Sequence, residues 1–306
     1  MEESPHVRPA RLKHADIRIG TLVPAGPNTL SYLRQILPHG FESVQLTFGS
    51  RIGALDLDTF AADVRRTLDE FGGGAIVSSV GIYGNPLIDD ETSRDWPRLI
   101  SAAERFGCRL VCGFTGRVPN EPIPASIDRF RQVFDPIARR AEDQGVRVAF
   151  ENCDMHGDWH RGDWNIAHAP TAWEMIFDAV PSAALGLEWE PCHQMVSLID
   201  PLPQLRKWAH KVFHLHGKDA TILWDVLRTS GLRGGEPYVF HRTPGFGDTN
   251  WTDVISALRQ ANFTGSIDIE GWHDPVYRDE LEMTGQVAAL EYLKRCRGGT
   301  FVPNPT

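Results

Sequence analysis

Residues 212–219 read VFHLHGKD. Successive side chains of an extended strand point to opposite faces. His214, His216 and Lys218 therefore share one face, and Phe213 and Leu215 the other. The same construction recurs three times. RVAFEN (147–152) aligns Glu151 with Ala149, against Val148 and Phe150. ALGLEWEP (184–191) aligns Glu190 with Glu188 and Gly186, against Leu185, Leu187 and Trp189. SIDIEGW (266–272) aligns Glu270 with Asp268, against Ile267 and Ile269. Each apolar run thus ends on a ligand-type side chain at its last polar-face position: Glu151, Glu190, His216 and Glu270.

Carboxylates are almost never buried unless they are paired or bound to a cation. A single divalent metal accounts for all four side chains at once. The bland alternative is ion pairing with Lys or Arg around the strand ends. Three oxygen donors and one nitrogen suit Mn²⁺, Mg²⁺ or Co²⁺ better than a structural Zn²⁺ site, which prefers Cys and His. Mn²⁺ is the expected ion, with Mg²⁺, Co²⁺ and Zn²⁺ as alternatives.

Outward from these stretches the chain keeps one rhythm. Further strands are read at IRIGTLVP (17–24), FESVQLTFG (41–49), AIVSSVGIYG (75–84) and RLVCGFTG (109–116), eight in all. Helical spacing lies between them. Phe60, Val64, Leu68 and Phe71 mark one face. Phe130, Val133, Phe134, Ile137 and Ala141 mark another, ending at Gly145. Trp251, Val254, Ile255 and Leu258 mark a third, with Asp248 and Thr249 as caps. Alternation of eight strands with helices predicts an α/β protein, a single (β/α)8 TIM barrel spanning 15–297. Residues 1–14 and 298–306 are read as loose termini. TLVPAGPNTL is not the glycine fingerprint expected of an open dinucleotide-binding sheet. Long polar loops are expected after strand five (153–168) and strand seven (220–250), at the mouth where barrel active sites are built.

Bulk properties exclude several classes. No apolar run approaches the roughly 20 residues of a membrane span, and the polar N-terminus lacks the apolar core of a signal peptide. A cytoplasmic protein is expected. Five cysteines without a C-x-x-C pair argue for reduced thiols rather than a disulfide framework. A formal net charge of −9 argues against nucleic acid as a partner.

Together with GIYGNPL (81–87), FENC (150–153), NIAHAPTAWEMIFDAV (165–180), PGFGDTNW (244–251) and GSIDIEGWHDP (265–275), these stretches resemble the sugar phosphate isomerase/epimerase superfamily, the xylose isomerase-like TIM barrels. They cover most of residues 17–295 in the family's order. That superfamily includes D-tagatose 3-epimerase, inosose dehydratase, hydroxypyruvate isomerase and C-glycoside deglycosidase catalytic subunits. The resemblance implies one divalent metal held by Glu151, Glu190, His216 and Glu270. Relatives usually carry Asp where this chain has Glu190, and often Glu where it has Gln45. The extra methylene displaces the Glu190 carboxylate by roughly 1.5 Å, one carbon–carbon bond. Direct ligation, ligation through water and contact with substrate are all open to it.

The resemblance also implies an activity. Glu151 and Glu270 would be the catalytic pair of an isomerase or epimerase acting on a ketose or keto-sugar through an enediolate. A lyase using the same site, of the inosose dehydratase or C-glycoside deglycosidase kind, is the alternative. His193, three residues after Glu190, and Lys218 are expected to contact a small-molecule sugar or glycoside. His214, one step deeper, is expected to support rather than ligate. The loop HGDWHRGDW (156–164) is expected to form a lid with tryptophans over a sugar. His241 and Arg242 stand in the other long loop with no assigned role, and Cys153 and Cys192 are expected to be small buried neighbours. A homo-oligomer is expected, with a small partner subunit as a further implication.

Overall fold

Apolar strand faces packed under apolar helix faces produce a closed barrel. The structure is a computed structural model that describes residues 16–271 and 273–305. Eight parallel strands form the barrel: β1 (Ile17–Pro24), β2 (Ser43–Thr47), β3 (Ile76–Ile82), β4 (Leu110–Gly113), β5 (Arg147–Glu151), β6 (Leu185–Trp189), β7 (Val212–Gly217) and β10 (Gly265–Ile269). The order around the barrel follows the chain, and β10 closes it by pairing with both β7 and β1. A two-stranded antiparallel ribbon, β8 (Asp219–Ile222) and β9 (Val239–Arg242), stands outside it.

The helices are α1 (Thr29–Ile36), α2 (Leu57–Glu70), α3 (Asp90–Ala102), α4 (Ile127–Gln144), α5 (Pro170–Ala179), α6 (Cys192–Val196), α7 (Pro201–Trp208), α8 (Trp224–Ser230), α9 (Trp251–Gln260) and α10 (Glu282–Cys296). The outward residues of the strands, such as Ile19, Val148, Leu187 and Ile267, are fully buried against them. On α4, Phe130, Phe134 and Ile137 fill the gap to β5, where Phe134 meets Phe150 edge-on with ring centroids 4.9 Å apart. The helix stops at Gly145, whose φ of +65° favours glycine. Among the described residues no helix is long and apolar enough to cross a membrane.

Three local expectations are corrected. Phe71 lies past the end of α2 and is exposed, because the helix ends at Glu70. Asp248 and Thr249 do not cap α9; Asn250 does, accepting from the backbone N–H of Asp253. The segment 220–250 is not a plain loop, since it carries most of β8, all of α8 and all of β9. Residues 1–14, read as a loose terminus, lie outside the described residues.

The barrel interior mixes apolar and polar side chains, with Cys112 beside Glu188 and His214. Leu110, Cys112, Ala149 and Phe213 pack as a small cluster of their own. Gly20 of β1 is required beside the polar layer: a Cβ there would come within 2.1 Å of the Ser43 carbonyl oxygen and 2.2 Å of Asp268 Oδ1.

Candidate active site

Parity along the strands turns Glu188, His214 and Asp268 into the barrel interior. His214 of β7 sits between two carboxylates, with Nδ1 2.9 Å from Glu188 Oε1 and Nε2 2.8 Å from Asp268 Oδ2. Ser43 and Ser78 also donate to Asp268. Burial alone would strip His214 of its proton, but its bonds to Asp268 and Glu188 outweigh that and raise its pKa. Burial likewise opposes ionisation of Glu188, and His216 and His214 overcome it. His214 thus lies one step deeper than His216, held by hydrogen bonds to Glu188 and Asp268.

One step up, His216 faces two ways. Its Nε2 lies 2.7 Å from Gln45 Oε1 and 3.1 Å from Glu188 Oε1. Its Nδ1 points into a cavity, 3.3 Å from Glu151 Oε1 and 3.4 Å from Glu270 Oε2. Donor atoms of Glu151, His216 and Glu270 all lie within 4.8 Å of one another. Three strand ends, β5, β7 and β10, thereby converge on one point at the floor of a cavity of about 450 Å³.

Lys218 follows β7 and is 2 % exposed. Its Nζ donates to Glu270 Oε1 at 2.9 Å and lies 3.3 Å from His193 Nε2. Burial works against charge on both partners, but the ion pair prevails. It raises Lys218 and holds Glu270 well below the usual carboxylate range. His193 is carried in by the short helix α6. Burial first, and the Lys218 ammonium second, lower its pKa, so it stands neutral. The same two causes push His241 down to about 3. His241 and His273 continue this wall of the cavity. Leu22, Tyr83, Phe114, Met155 and Val196 supply an apolar wall.

Glu190 stands apart from the three converging side chains. Its backbone is clamped by Asn152, which accepts from the Glu190 N–H at 2.7 Å and donates to its carbonyl oxygen at 2.9 Å. The carboxylate is fully buried beside His193, with Oε1 2.9 Å from Nε2. It does not line the cavity.

The donors fit a divalent cation. Buried atoms left without a hydrogen-bond partner include Glu190 Oε2, His216 Nδ1 and Glu270 Oε2. Native interiors leave few such atoms, and those of this chain include atoms of three of the four residues read as ligands from strand parity. Two carboxylates and an imidazole nitrogen, with a third carboxylate at hand, form an oxygen-rich set suited to hard or borderline ions.

The loop after β5 is pinned rather than free. Fully buried Arg117 donates to the carbonyl oxygens of Asp158 and Glu121, each at 2.7 Å. Asn165 donates to the carbonyl oxygens of Glu151 and Cys153. Asp154, Met155 and His156 reach the cavity, whereas Trp159 packs on the core and Trp164 is exposed elsewhere. The expected tryptophan lid is therefore not formed. Cys153 borders the cavity as a buried thiol, and Cys192 is buried at the start of α6. Sequence reading missed the roles of Glu188, Tyr83 and His273. Glu188 shared the inward parity of Glu190, but one layer deeper, and parity alone does not rank depth.

A family model described as a xylose isomerase-like TIM barrel matches residues 33–296. Among curated proteins none matches the chain. Solved structures do. A xylose isomerase domain protein from Planctomyces limnophilus superposes with a TM-score of 0.69 at 18% identity, over 92% of this chain and 97% of that one. A D-psicose 3-epimerase, solved in the presence of D-fructose, gives 0.68 at 16%, over 92% and 100%. A 3-keto-D-glucoside 4-epimerase from E. coli gives 0.65 at 16%, over 92% and 100%. At these identities the likeness shows the fold.

Proposed function

This chain belongs to the xylose isomerase-like TIM barrel family, and on that premise we propose that it is a divalent-metal-dependent isomerase or epimerase of a ketose or keto-sugar. The observation that carries the reading is the meeting of Glu151, His216 and Glu270 at the cavity floor, with His216 Nδ1 unpartnered between the two carboxylates. Glu151, His216 and Glu270 would hold the ion, and Glu190, set apart beside His193, would join them directly or through water. Bound there, a divalent cation would act as a Lewis acid toward the carbonyl and adjacent hydroxyl oxygens of the sugar.

The chain's own groups supply the proton transfers. Glu151 and Glu270 reach the same point from strands on either side of β7. One removes the proton from the carbon next to the carbonyl, leaving an enediolate. The other returns a proton, to the opposite face for an epimer or to the neighbouring carbon for an isomer. Lys218 keeps Glu270 ionised and so able to accept. Neutral His193 can donate to or accept from a sugar hydroxyl, and the Lys218 ammonium can donate to one.

The apolar wall favours a second reading. Leu22, Tyr83, Phe114, Met155 and Val196 offer more apolar surface than a bare ketose would use, in a cavity of about 450 Å³ that falls in the range of drug-sized ligands. A keto-glycoside with an apolar leaving group would fit it, and the same enediolate would then expel that group, making the enzyme a lyase. The proposal includes a homo-oligomer, with or without a small partner chain, which light scattering would size.

Incubation of the Mn²⁺-loaded protein in D₂O with ketohexoses, inosose and 3-keto-glucosides, followed by proton NMR, tests both readings. Deuterium entering next to a carbonyl supports enediolate chemistry. A product of unchanged mass marks an isomerase, and a lost water or aglycone marks a lyase. No exchange with any of these substrates, despite stoichiometric metal, would count against both.

A further inference from the structure

Below the proposed metal position lies a set of hydrogen bonds whose direction is fixed by chemistry. The Glu188 carboxylate can only accept. It receives Gln45 Nε2 and His214 Nδ1 on Oε1, and the Tyr83 hydroxyl, at 3.0 Å, on Oε2. The Gln45 amide must therefore turn its NH₂ toward Glu188, which leaves its oxygen 2.7 Å from His216 Nε2. An amide oxygen only accepts, so His216 must present an Nε2–H. In the neutral ring Nδ1 is then the lone-pair nitrogen, and it faces Glu151 and Glu270.

We infer that Gln45, oriented by Glu188, is a positioning residue that sets the His216 tautomer and thereby makes Nδ1 the metal-binding nitrogen. The inference rests on the metal-dependent reading above. Metal-ligating histidines generally donate their second ring N–H to an acceptor that fixes ring orientation, and loss of that acceptor lowers metal affinity roughly 10- to 100-fold. Here the nearer acceptor is an amide oxygen, held the right way round by Glu188, whose own Oε1 lies 3.1 Å from the same Nε2. Gln45 is fully buried in β2, and neither it nor Glu188 lines the cavity. Neither touches substrate, and the effect passes through His216.

The direction of the bond gives a test that a merely structural role would not pass. Gln45→Glu keeps an acceptor opposite Nε2. Gln45→Lys supplies only donors, pairs with Glu188, and forces Nε2 to accept and Nδ1 to carry the proton. Gln45→Met removes both functions at similar size. Mn²⁺ affinity is measured by titration calorimetry on the unaltered protein first. Absence of stoichiometric binding there would sink the proposed function itself. With binding present, the expected result is that Gln45→Glu stays within a few-fold of the unaltered protein, while Gln45→Lys and Gln45→Met lose roughly 10- to 100-fold. The two charged variants also change the local charge, so the tautomer is read directly, from the one-bond proton–nitrogen coupling of His216 in the Mg²⁺-saturated, ¹⁵N-labelled protein. An Nε2–H in the unaltered protein and Gln45→Glu, absent from Gln45→Lys, supports the inference. An Nε2–H retained in Gln45→Lys, or a Gln45→Met protein that binds Mn²⁺ like the unaltered one, overturns it. Thermal denaturation confirms that each variant is folded, and should Gln45→Lys fail to fold, the Gln45→Met affinity decides.

Discussion

Lys218 Nζ lies 2.9 Å from Glu270 Oε1, and both side chains are buried at the mouth of the barrel. The pair explains how a carboxylate enclosed by protein keeps its charge. Burial favours the neutral acid, and the ammonium reverses that preference.

Replacing Lys218 by Met removes the cation that holds Glu270 ionised. The pKa of Glu270 then rises. A base works only while deprotonated, so activity is lost as pH falls through that pKa. The acid limb of kcat/KM against pH should therefore move to higher pH in Lys218→Met. An unmoved acid limb would show that Glu270 does not set it.

Glu151→Gln and Glu270→Gln each remove one proton acceptor at nearly constant volume. Each should slow deuterium incorporation roughly 10²- to 10⁴-fold, the range of general acid–base catalysis. Wash-in measured by proton NMR at saturating metal separates loss of chemistry from loss of metal. Exchange that persists in either variant would remove that residue from the catalytic pair.

Glu190 carries a fully buried carboxylate whose Oε1 faces His193 Nε2 at 2.9 Å and whose Oε2 has no hydrogen-bond partner. In the metal-free protein such a group costs about 1–3 kcal/mol or more. Glu190→Gln should thus raise the melting temperature of the metal-free protein and lower its Mn²⁺ affinity. A raised melting temperature with unchanged affinity would place Glu190 outside the metal site.

The Arg297 guanidinium ties the last helix to the first strands. It donates to the Ile17 carbonyl oxygen at 2.6 Å and to both Glu42 oxygens, at 2.6 and 2.9 Å. Burial raises the Glu42 pKa, but Arg297 and the Ile19 N–H more than offset this, so the folded value lies below the unfolded one. A depressed carboxylate contributes stability above its unfolded pKa of about 4.3, and that stability fades as pH falls through the folded value. Glu42→Gln should cost roughly 1–3 kcal/mol at neutral pH, the scale of a lost charged hydrogen bond. The gap to the unaltered protein in denaturant midpoints should close below about pH 4. A gap independent of pH would assign the effect to packing.

Strand period and helix period made the barrel legible, because alternation of apolar and polar residues is a local property of the chain. Ile267, Asp268, Ile269 and Glu270 announce one face and then the other without reference to any partner strand. The same parity brought Glu151, His216 and Glu270 to a common face, and closure of the barrel turned that face into a common point. Depth and direction were not local. Whether Glu188 or Glu190 stands at the level of His216 depends on where β6 ends, on the Asn152 clamp on the Glu190 backbone, and on a register shift in the pairing of β6 with β7 between Leu187 and Glu188. The failure of Trp159 and Trp164 to reach the cavity depends on Arg117, some forty positions away in the chain, holding the loop's Asp158 carbonyl oxygen. Gln45 shows the division most plainly. Its identity was visible in β2, but its function requires Glu188 from β6 and His216 from β7 at hydrogen-bond distance. A hydrogen bond acts over about 3 Å, so only the closed barrel could decide which nitrogen of His216 faces the cavity.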